Sequence, residues 1–485
     1  MTGALAGPCD AAVASSVATC ANRHPVATLA ATILGSSLAF VDGSVVNVAL
    51  AAFERDLGAG PSGLAWIINA YLLPLGALIL VGGAAGDHQG RRRLFLAGVA
   101  LFGVASALCA LAPSLGWLLA GRALQGIGAA LLMPNSLAIL GAAFEKEARG
   151  RAIGTWAAVG ALAAAVGPVL GGWLLDVAGW RAIFLINLPV AAAAAWLAWR
   201  YVPESRGGAE ARPLDWRGAL MATIALFCLT WSLTVAAEGG AAPGLVWAAA
   251  AAGVVLILLL GWHERRQGDD AIVPRTMFSA PGFLGLTLFT FFLYAALSGL
   301  LVLLPYVLMQ TEDYSAVAAG AALLPLPVLI GLGSPLMGGL AARIGGRWLL
   351  GTGALLVAAG MVLYLRLNPG GITYWTDVLP ATLLVAVGMT ISVAPLTTSV
   401  MAAVDAAHVG AASGFNSAVA RVGGLVATAL VGFVFAQEGA PETFLAAVHA
   451  AALWGAGLAL SAAACAILLT PARQKASAER RHFDE

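Results

Sequence analysis

Three charged side chains stand in stretches that are otherwise apolar. Asp42 lies in the run 27–50, Arg122 in 117–141 and Arg421 in 411–436. A charge at membrane depth costs about 2.5–3.5 kcal/mol on insertion scales. Such residues are kept for function or held by a partner. A carboxyl group in that position can take up and release a proton. A guanidinium cannot, because it keeps its proton in proteins, but it can hold a carboxylate in its charged form. Asp42 sits about 12 Å along a helix from Leu50, and Arg122 about 8–10 Å from the matching end of its own run, at 1.5 Å per residue. The two depths are close, so a pair is expected. Asp42 is then either a proton carrier or a structural hydrogen-bond partner. Arg122, Gln125 and Gly126 share one helix face by their spacing. Arg421 falls about ten residues into its run by the same helical reckoning, and it calls for a carboxylate, a carbonyl cluster or an aqueous cavity beside it.

A second set of residues could line a path for a small solute. Asn47, Asn69, Tyr71, Gln125, Asn135 and Asn416 are polar groups inside apolar runs, and Phe291, Phe292 and Tyr294 are clustered aromatics. Arg421 belongs with them. Other chemistry is missing. The six His sit near the ends of apolar runs or in the tails, and the five Cys are scattered without metal spacing. No nucleophile–base pair and no nucleotide loop is present. The expectation is no enzyme, no metal and no cofactor. A net charge of +1 gives no argument for nucleic acid.

The elements that must position these residues follow from composition. The chain has 485 residues, 60% hydrophobic and 10% charged, with a mean hydropathy of +0.90. Ordinary soluble chains are about 25% charged. A chain this apolar needs lipid as its solvent. A span takes about 20 apolar residues, and that ruler gives fourteen: 27–50, 64–86, 94–112, 117–141, 152–174, 182–201, 215–236, 244–262, 283–308, 316–340, 348–366, 378–402, 411–436 and 445–469. With the N-terminus inside, 20 of the 25 basic residues fall on the cytoplasmic side. That asymmetry supports the even count and places both termini in the cytoplasm. The segment from Gly128 to Gly154 resembles that from Gly388 to Gly414, with mid-span prolines at Pro134 and Pro395. Two parallel halves are thereby expected, with a binding site between them. The predicted organisation is a cytoplasmic tail 1–26, a six-helix half 27–201, a linker 202–275 holding two extra spans, a second six-helix half 276–470 and a tail 471–485. The abundance of Ala and Gly and the scarcity of Lys point to a bacterial source, hence a bacterial cell membrane.

Five segments carry a family resemblance. FVDGSVVNVAL (40–50), LAGRALQGIGAAL (119–131), GAAGDHQGRRR (83–93), GALAAAVGPVLGG (160–172) and WRAIFLINLPV (180–190) resemble motifs of the major facilitator superfamily, and more narrowly of its fourteen-helix drug:proton antiporter branch. Departures are Ser44 for the usual Thr, Ala51 for Pro and Ala182 for Trp. The resemblance implies an all-α integral membrane fold of two six-helix halves plus two inserted helices. It implies Asp42 and Arg122 as proton-coupling residues. It implies a conformational latch at Gly83, Asp87, Gly90, Arg91 and Arg92. It also implies an exporter-type bend and packing face at Gly160, Gly167, Pro168, Gly171 and Gly172. The 180–190 segment is expected to be structural. The implied function is proton-coupled export of small apolar or amphipathic compounds such as drugs or antibiotics by alternating access. Its partners are solute, protons and lipid, and a monomer suffices. A proton-symporting importer of the same fold, or an exporter dedicated to one native metabolite, stays open.

Overall fold

The computed structural model of the chain describes residues 24–144, 146–206, 215–238, 242–267, 275–311, 314–368, 371–404, 409–436 and 441–471. Nearly all of both predicted tails lies outside these residues. Each predicted span is met by a helical element. In the first half these are α1 (Pro25–Leu57), α2 (Pro61–Gln89), α3 (Arg91–Ala110), α4 (Leu115–Ala143), α5 (Lys146–Ala178) and α6 (Ala182–Tyr201). The inserted pair is α7 (Trp216–Glu238) and α8 (Pro243–Gln267). The second half holds α9 (Phe283–Thr311), α10 (Ala316–Ala321 continued by Pro325–Ile344), α11 (Gly346–Leu363), α12 (Leu379–Ala402), α13 (Val409–Phe435) and α14 (Pro441–Leu469). Among the described residues no strand occurs. Thirteen of these elements are long and apolar enough to cross a membrane. The remaining predicted span, 152–174, is met by α5, whose apolar stretch is Leu162–Ala178. In lipid every backbone polar group must be satisfied within the segment, and a helix does that.

The two halves repeat one packing device. Gly98 of α3 and Gly128 of α4 face each other. A Cβ on Gly98 would come within 2.8 Å of the Gly128 carbonyl, and one on Gly128 within 2.9 Å of the Gly98 carbonyl. In the second half Gly353 of α11 meets Gly388 of α12 the same way, with 2.6 Å from a Gly353 Cβ to the Gly388 carbonyl. Small residues allow backbones this close where lipid supplies no hydrophobic drive between helices. Gly90 and Gly345 turn the chain between the second and third helices of each half, at φ 113° and 88°, where an L side chain is strained.

The halves meet mainly along two seams, α2 against α13 and α5 against α10, and α1 also reaches α9 at one end. α7 lies over the first seam, packed on both α2 and α13, while α8 packs on α7. Gly253 lets α8 approach Leu229 and Ala225. The opposite side of α8 shows Val254, Leu258 and Trp262 outward, as a lipid-facing helix must. Asp215 ties the pair together at one end. It accepts from Gly218 N at 2.8 Å, capping α7, and pairs with His263 Nε2 of α8 at 3.0 Å.

Two departures from regular helix matter below. A 3₁₀ turn, Val46–Ala49, interrupts α1 just past Asp42. In α6 the helix Asn187–Tyr201 restarts after Ala182–Leu185.

Candidate functional site

The structure brings Asp42 and Arg122 together. Both side chains are fully buried, and Arg122 Nη1 donates to Asp42 Oδ2 in an ion pair. The guanidinium is held on its other sides. Its Nε donates to the Ile67 carbonyl at 3.1 Å, Nη1 also reaches Gln125 Oε1 at 2.9 Å, and the Tyr71 ring lies 4.5 Å below it. Tyr71 Oη in turn donates to the Ala39 carbonyl at 3.1 Å. The remaining Asp42 oxygen is held by two amides. Gln125 Nε2 donates at 3.0 Å and Asn187 Nδ2 at 3.2 Å. Both amides also contact Ser106 Oγ, at 2.9 and 3.3 Å. Four helices thus close around one carboxylate: α1, α3, α4 and α6.

Asn187 and Ser106 were not among the sequence candidates. Asn187 belongs to the 180–190 segment, expected to be only structural, and it touches Asp42 directly. Its signal was available: a carboxamide inside an apolar run is costly unless paired. Ser106 gave no such signal. Serines in these helices commonly bond their own backbone, as Ser392 does to Gly388.

The latch residues form a cluster at the arginine-rich end of the first half. Asp87 accepts from Arg91 at 2.8–2.9 Å, and Arg91 Nη1 reaches the Ala138 carbonyl at 3.4 Å. The backbone N–H of Arg92 donates to Glu204 Oε1 at 3.0 Å, and Arg92 Nη1 to the Val202 carbonyl at 3.1 Å. Glu204 also stands 3.8 Å from Arg93. Gly90 fits here because a Cβ would meet the Glu204 carboxylate at 2.8 Å. Glu204, the partner that joins this turn to the end of α6, lies too far along the chain for its role to be read from spacing. Gly83 sits against Pro134.

The glycines of α5 face α1. A Cβ on Gly160 would strike the Phe40 ring at 2.7 Å, one on Gly167 the Ser44 hydroxyl, and one on Gly171 the Val45 side chain. The neighbouring Pro168 and Gly172 instead face α10, against Gly320 and Ala316. The motif therefore packs α5 on the helix that carries Asp42 and on the other half at once.

A cavity of about 340 Å³ lies between the halves. Its lining includes Phe40, Leu72, Tyr294, Ser298, Asn416 and Arg421. Three of the expected solute-path residues are thus brought to it: Tyr294, Asn416 and Arg421. The others stand elsewhere. Gln125 is buried in the carboxylate network. Asn135 is buried and donates to the Gly82 and Leu131 carbonyls at 2.9 and 2.7 Å, clamping α2 to α4. Tyr71 lies under Arg122. Phe291 and Phe292 pack edge to face with each other, 5.4 Å between centroids. Asn69 is fully buried with neither amide atom partnered among the described residues, and Asn47, in the 3₁₀ turn, leaves its Oδ1 unpartnered. Arg421 has the cavity beside it and no ion pair among the described residues.

The cavity and the carboxylate share two helices. Phe40 and Asp42 are two apart on α1, so they point to different sides. Leu72 and Tyr71 are adjacent on α2. Each helix presents one residue to the cavity and its near neighbour to the buried pair.

At the end opposite the arginines the halves are bonded together. Tyr306 Oη donates to Glu54 Oε2 at 3.1 Å and Gln310 Nε2 reaches the same oxygen at 3.3 Å. Both bonds cross between the halves. Among the described residues no three or more His, Cys, Asp or Glu side chains gather as a metal ion would need.

Comparison with known proteins agrees with this architecture. The profile of the Major Facilitator Superfamily matches residues 32–428. Multidrug resistance protein Stp of Mycobacterium tuberculosis is 34% identical over 422 residues, covering 86% of this chain and 76% of that protein. The puromycin resistance protein of Streptomyces alboniger is 36% identical over 420 residues, 84% and 81% of the two chains. The methylenomycin A resistance protein of Bacillus subtilis is 32% identical over 435 residues, 89% of each. Among solved structures, a peptide transporter in complex with sulfate superposes with a TM-score of 0.67 at 15% identity, over 93% of this chain and 96% of that one. A bacterial homologue of the human lysosomal transporter Spinster gives 0.66 at 18%, over 92% and 97%. At such identities the likeness concerns the fold.

Proposed function

This chain belongs to the major facilitator superfamily, and we propose that it works as a proton-coupled exporter of small apolar or amphipathic organic compounds, drugs or antibiotics among them. The observation that carries the reading is the Asp42–Arg122 pair, sealed from water yet two residues along α1 from Phe40, which lines a cavity between two halves. The names of the three relatives above, each a resistance protein, support the outward direction. So does the Gly-Pro face of α5.

The coupling follows from charge and packing. With Asp42 ionised, Arg122, Gln125 and Asn187 all donate to it, and α1, α4 and α6 are drawn together. A proton on Asp42 removes the ionic attraction. Arg122 keeps its Ile67 and Gln125 partners, so α1 alone loosens. The 3₁₀ turn Val46–Ala49 is the part of α1 with the weaker hydrogen-bond geometry, and it can absorb the shift. Solute pressing on Phe40 and Leu72 acts on the same two helices. Proton and solute therefore compete through α1 without touching.

Two hydrogen bonds join the halves at the Glu54 end, and on that ground the cavity is read as open toward the arginine-rich end. If the arginines mark the cytoplasm, as in positive-inside topology, this is the inward-facing state, in a bacterial cell membrane with both termini inside. The Asp87–Arg91 cluster stays within one half here and is free to engage the other half when the carrier turns. A monomer contains every residue invoked.

The test is ΔpH-driven uptake of a dye or drug into everted vesicles. Asp42→Asn keeps a side chain of the same size that cannot titrate. It is expected to abolish uptake driven by ΔpH while solute binding persists. Full coupling in Asp42→Asn, or uptake with the opposite polarity in the wild type, overturns the proposal.

A further inference from the structure

We infer that the compounds this carrier moves include those bearing an acidic oxygen group, such as a carboxylate or enolate, and that Arg421 is the residue that binds it. The inference rests on the exporter reading and adds a substrate class to it.

The charge in the cavity is one-sided. Arg421 projects from the middle of α13 and lines the 340 Å³ space with Tyr294, Ser298 and Asn416. Among the described residues no Asp or Glu lines it. Asp42, the nearby membrane-depth carboxylate, is fully buried and is already held by Arg122, Gln125 and Asn187. Among the described residues no carboxylate pairs with Arg421 and no hydrogen bond holds it. The contrast with Arg122 is informative. That arginine is wrapped by a carboxylate, a carbonyl, an amide and an aromatic face. Arg421 is equally unable to lose its proton, yet it faces open space.

A guanidinium at membrane depth without a counter-charge is a costly arrangement. An anionic ligand relieves it, and a planar oxygen pair can take two parallel N–H bonds. A cationic ligand would add to the cost. The hydroxyls of Tyr294 and Ser298 and the amide of Asn416 can each serve an oxygen-rich group, while Phe40 and Leu72 suit an apolar body. The space fits a small ligand or one end of a larger one.

The test uses two dyes that share a xanthene skeleton and differ in charge: anionic fluorescein and cationic tetramethylrhodamine methyl ester. Binding to the purified full chain is followed by dye anisotropy. The wild type is expected to favour fluorescein by about tenfold or more, the scale of one charge-assisted hydrogen bond. Arg421→Gln is expected to lose that preference, and Arg421→Lys to keep most of it. The wild-type comparison stands even if a variant fails to fold. Equal or tighter binding of the rhodamine ester, or fluorescein binding that Arg421→Gln leaves intact, overturns the inference. Dye accumulation in an efflux-deficient host separates the two levels. Expulsion of the rhodamine ester alone keeps the exporter and sinks the acidic-substrate assignment. Fluorescein bound through Arg421 but never expelled keeps the assignment and sinks the exporter.

Discussion

At the scale of single residues, the carboxylate network shows how a membrane protein makes a buried charge tolerable. Asp42 has an ionic partner and two amide donors, and each amide is itself oriented by Ser106. Removing one member should be felt beyond its own bond. Asn187→Ala takes away one donor and one of the contacts of Ser106. Loss of a hydrogen bond to a charged group costs about 1.5–3 kcal/mol, so the purified variant should melt earlier than the wild type and transport more slowly. An unchanged melting temperature would show that Asn187 only fills space. Arg122→Lys is a sharper probe. Lysine carries the charge but has no fork with which to serve Asp42, Ile67 and Gln125 together. Initial rates of ΔpH-driven uptake are expected to fall at least tenfold, about 1.4 kcal/mol in barrier terms, with the protein still inserted.

At the scale of elements, the α5 face is the part whose failure is easiest to stage. Gly171→Leu would drive a branched side chain into Val45 and part α5 from α1. Efflux in intact cells should be lost at normal expression levels. Gly154→Ala, on the same helix, has nothing within 4 Å of its new Cβ and should leave efflux intact. If both variants behave alike, close packing at Gly171 is not what the motif supplies. The spans themselves were legible in the sequence because lipid imposes a length of about 20 apolar residues and because basic residues crowd one side. Asp42 and Arg122 were legible because a charge inside such a run needs a reason. Asn187, Ser106 and Glu204 were harder, since each acquires its role only when distant helices meet. Among the solute-path candidates, residue type alone could not say which way a side chain turns. That is why Asn135 proved to be a helix clamp and Asn416 a cavity residue.

At the scale of the whole molecule, two halves built on one plan carry different charged groups. The Gly98–Gly128 and Gly353–Gly388 crossings are the shared plan. The first half holds the titratable carboxylate, the second holds Arg421. The halves are latched through Glu54, Tyr306 and Gln310 at one end. Glu54→Ala removes both cross-half bonds and should favour the state open at that end. A cysteine placed at Val317, in a background without other cysteines, should then react faster with a membrane-impermeant thiol reagent added from that side. No change in its labelling rate would mean that α5 against α10 holds the end shut without Glu54. The one-sided charge of the cavity has an electrical consequence. If a proton enters as a monoanion leaves, two positive charges move inward in each cycle. A membrane potential, negative inside, then adds about 2.3 kcal/mol per charge for every 100 mV to whatever the pH gradient supplies. Acidic substrates should be expelled faster when a potassium diffusion potential is imposed on proteoliposomes at equal pH. The same carrier would thus draw on voltage for its acidic cargo more steeply than for its neutral cargo.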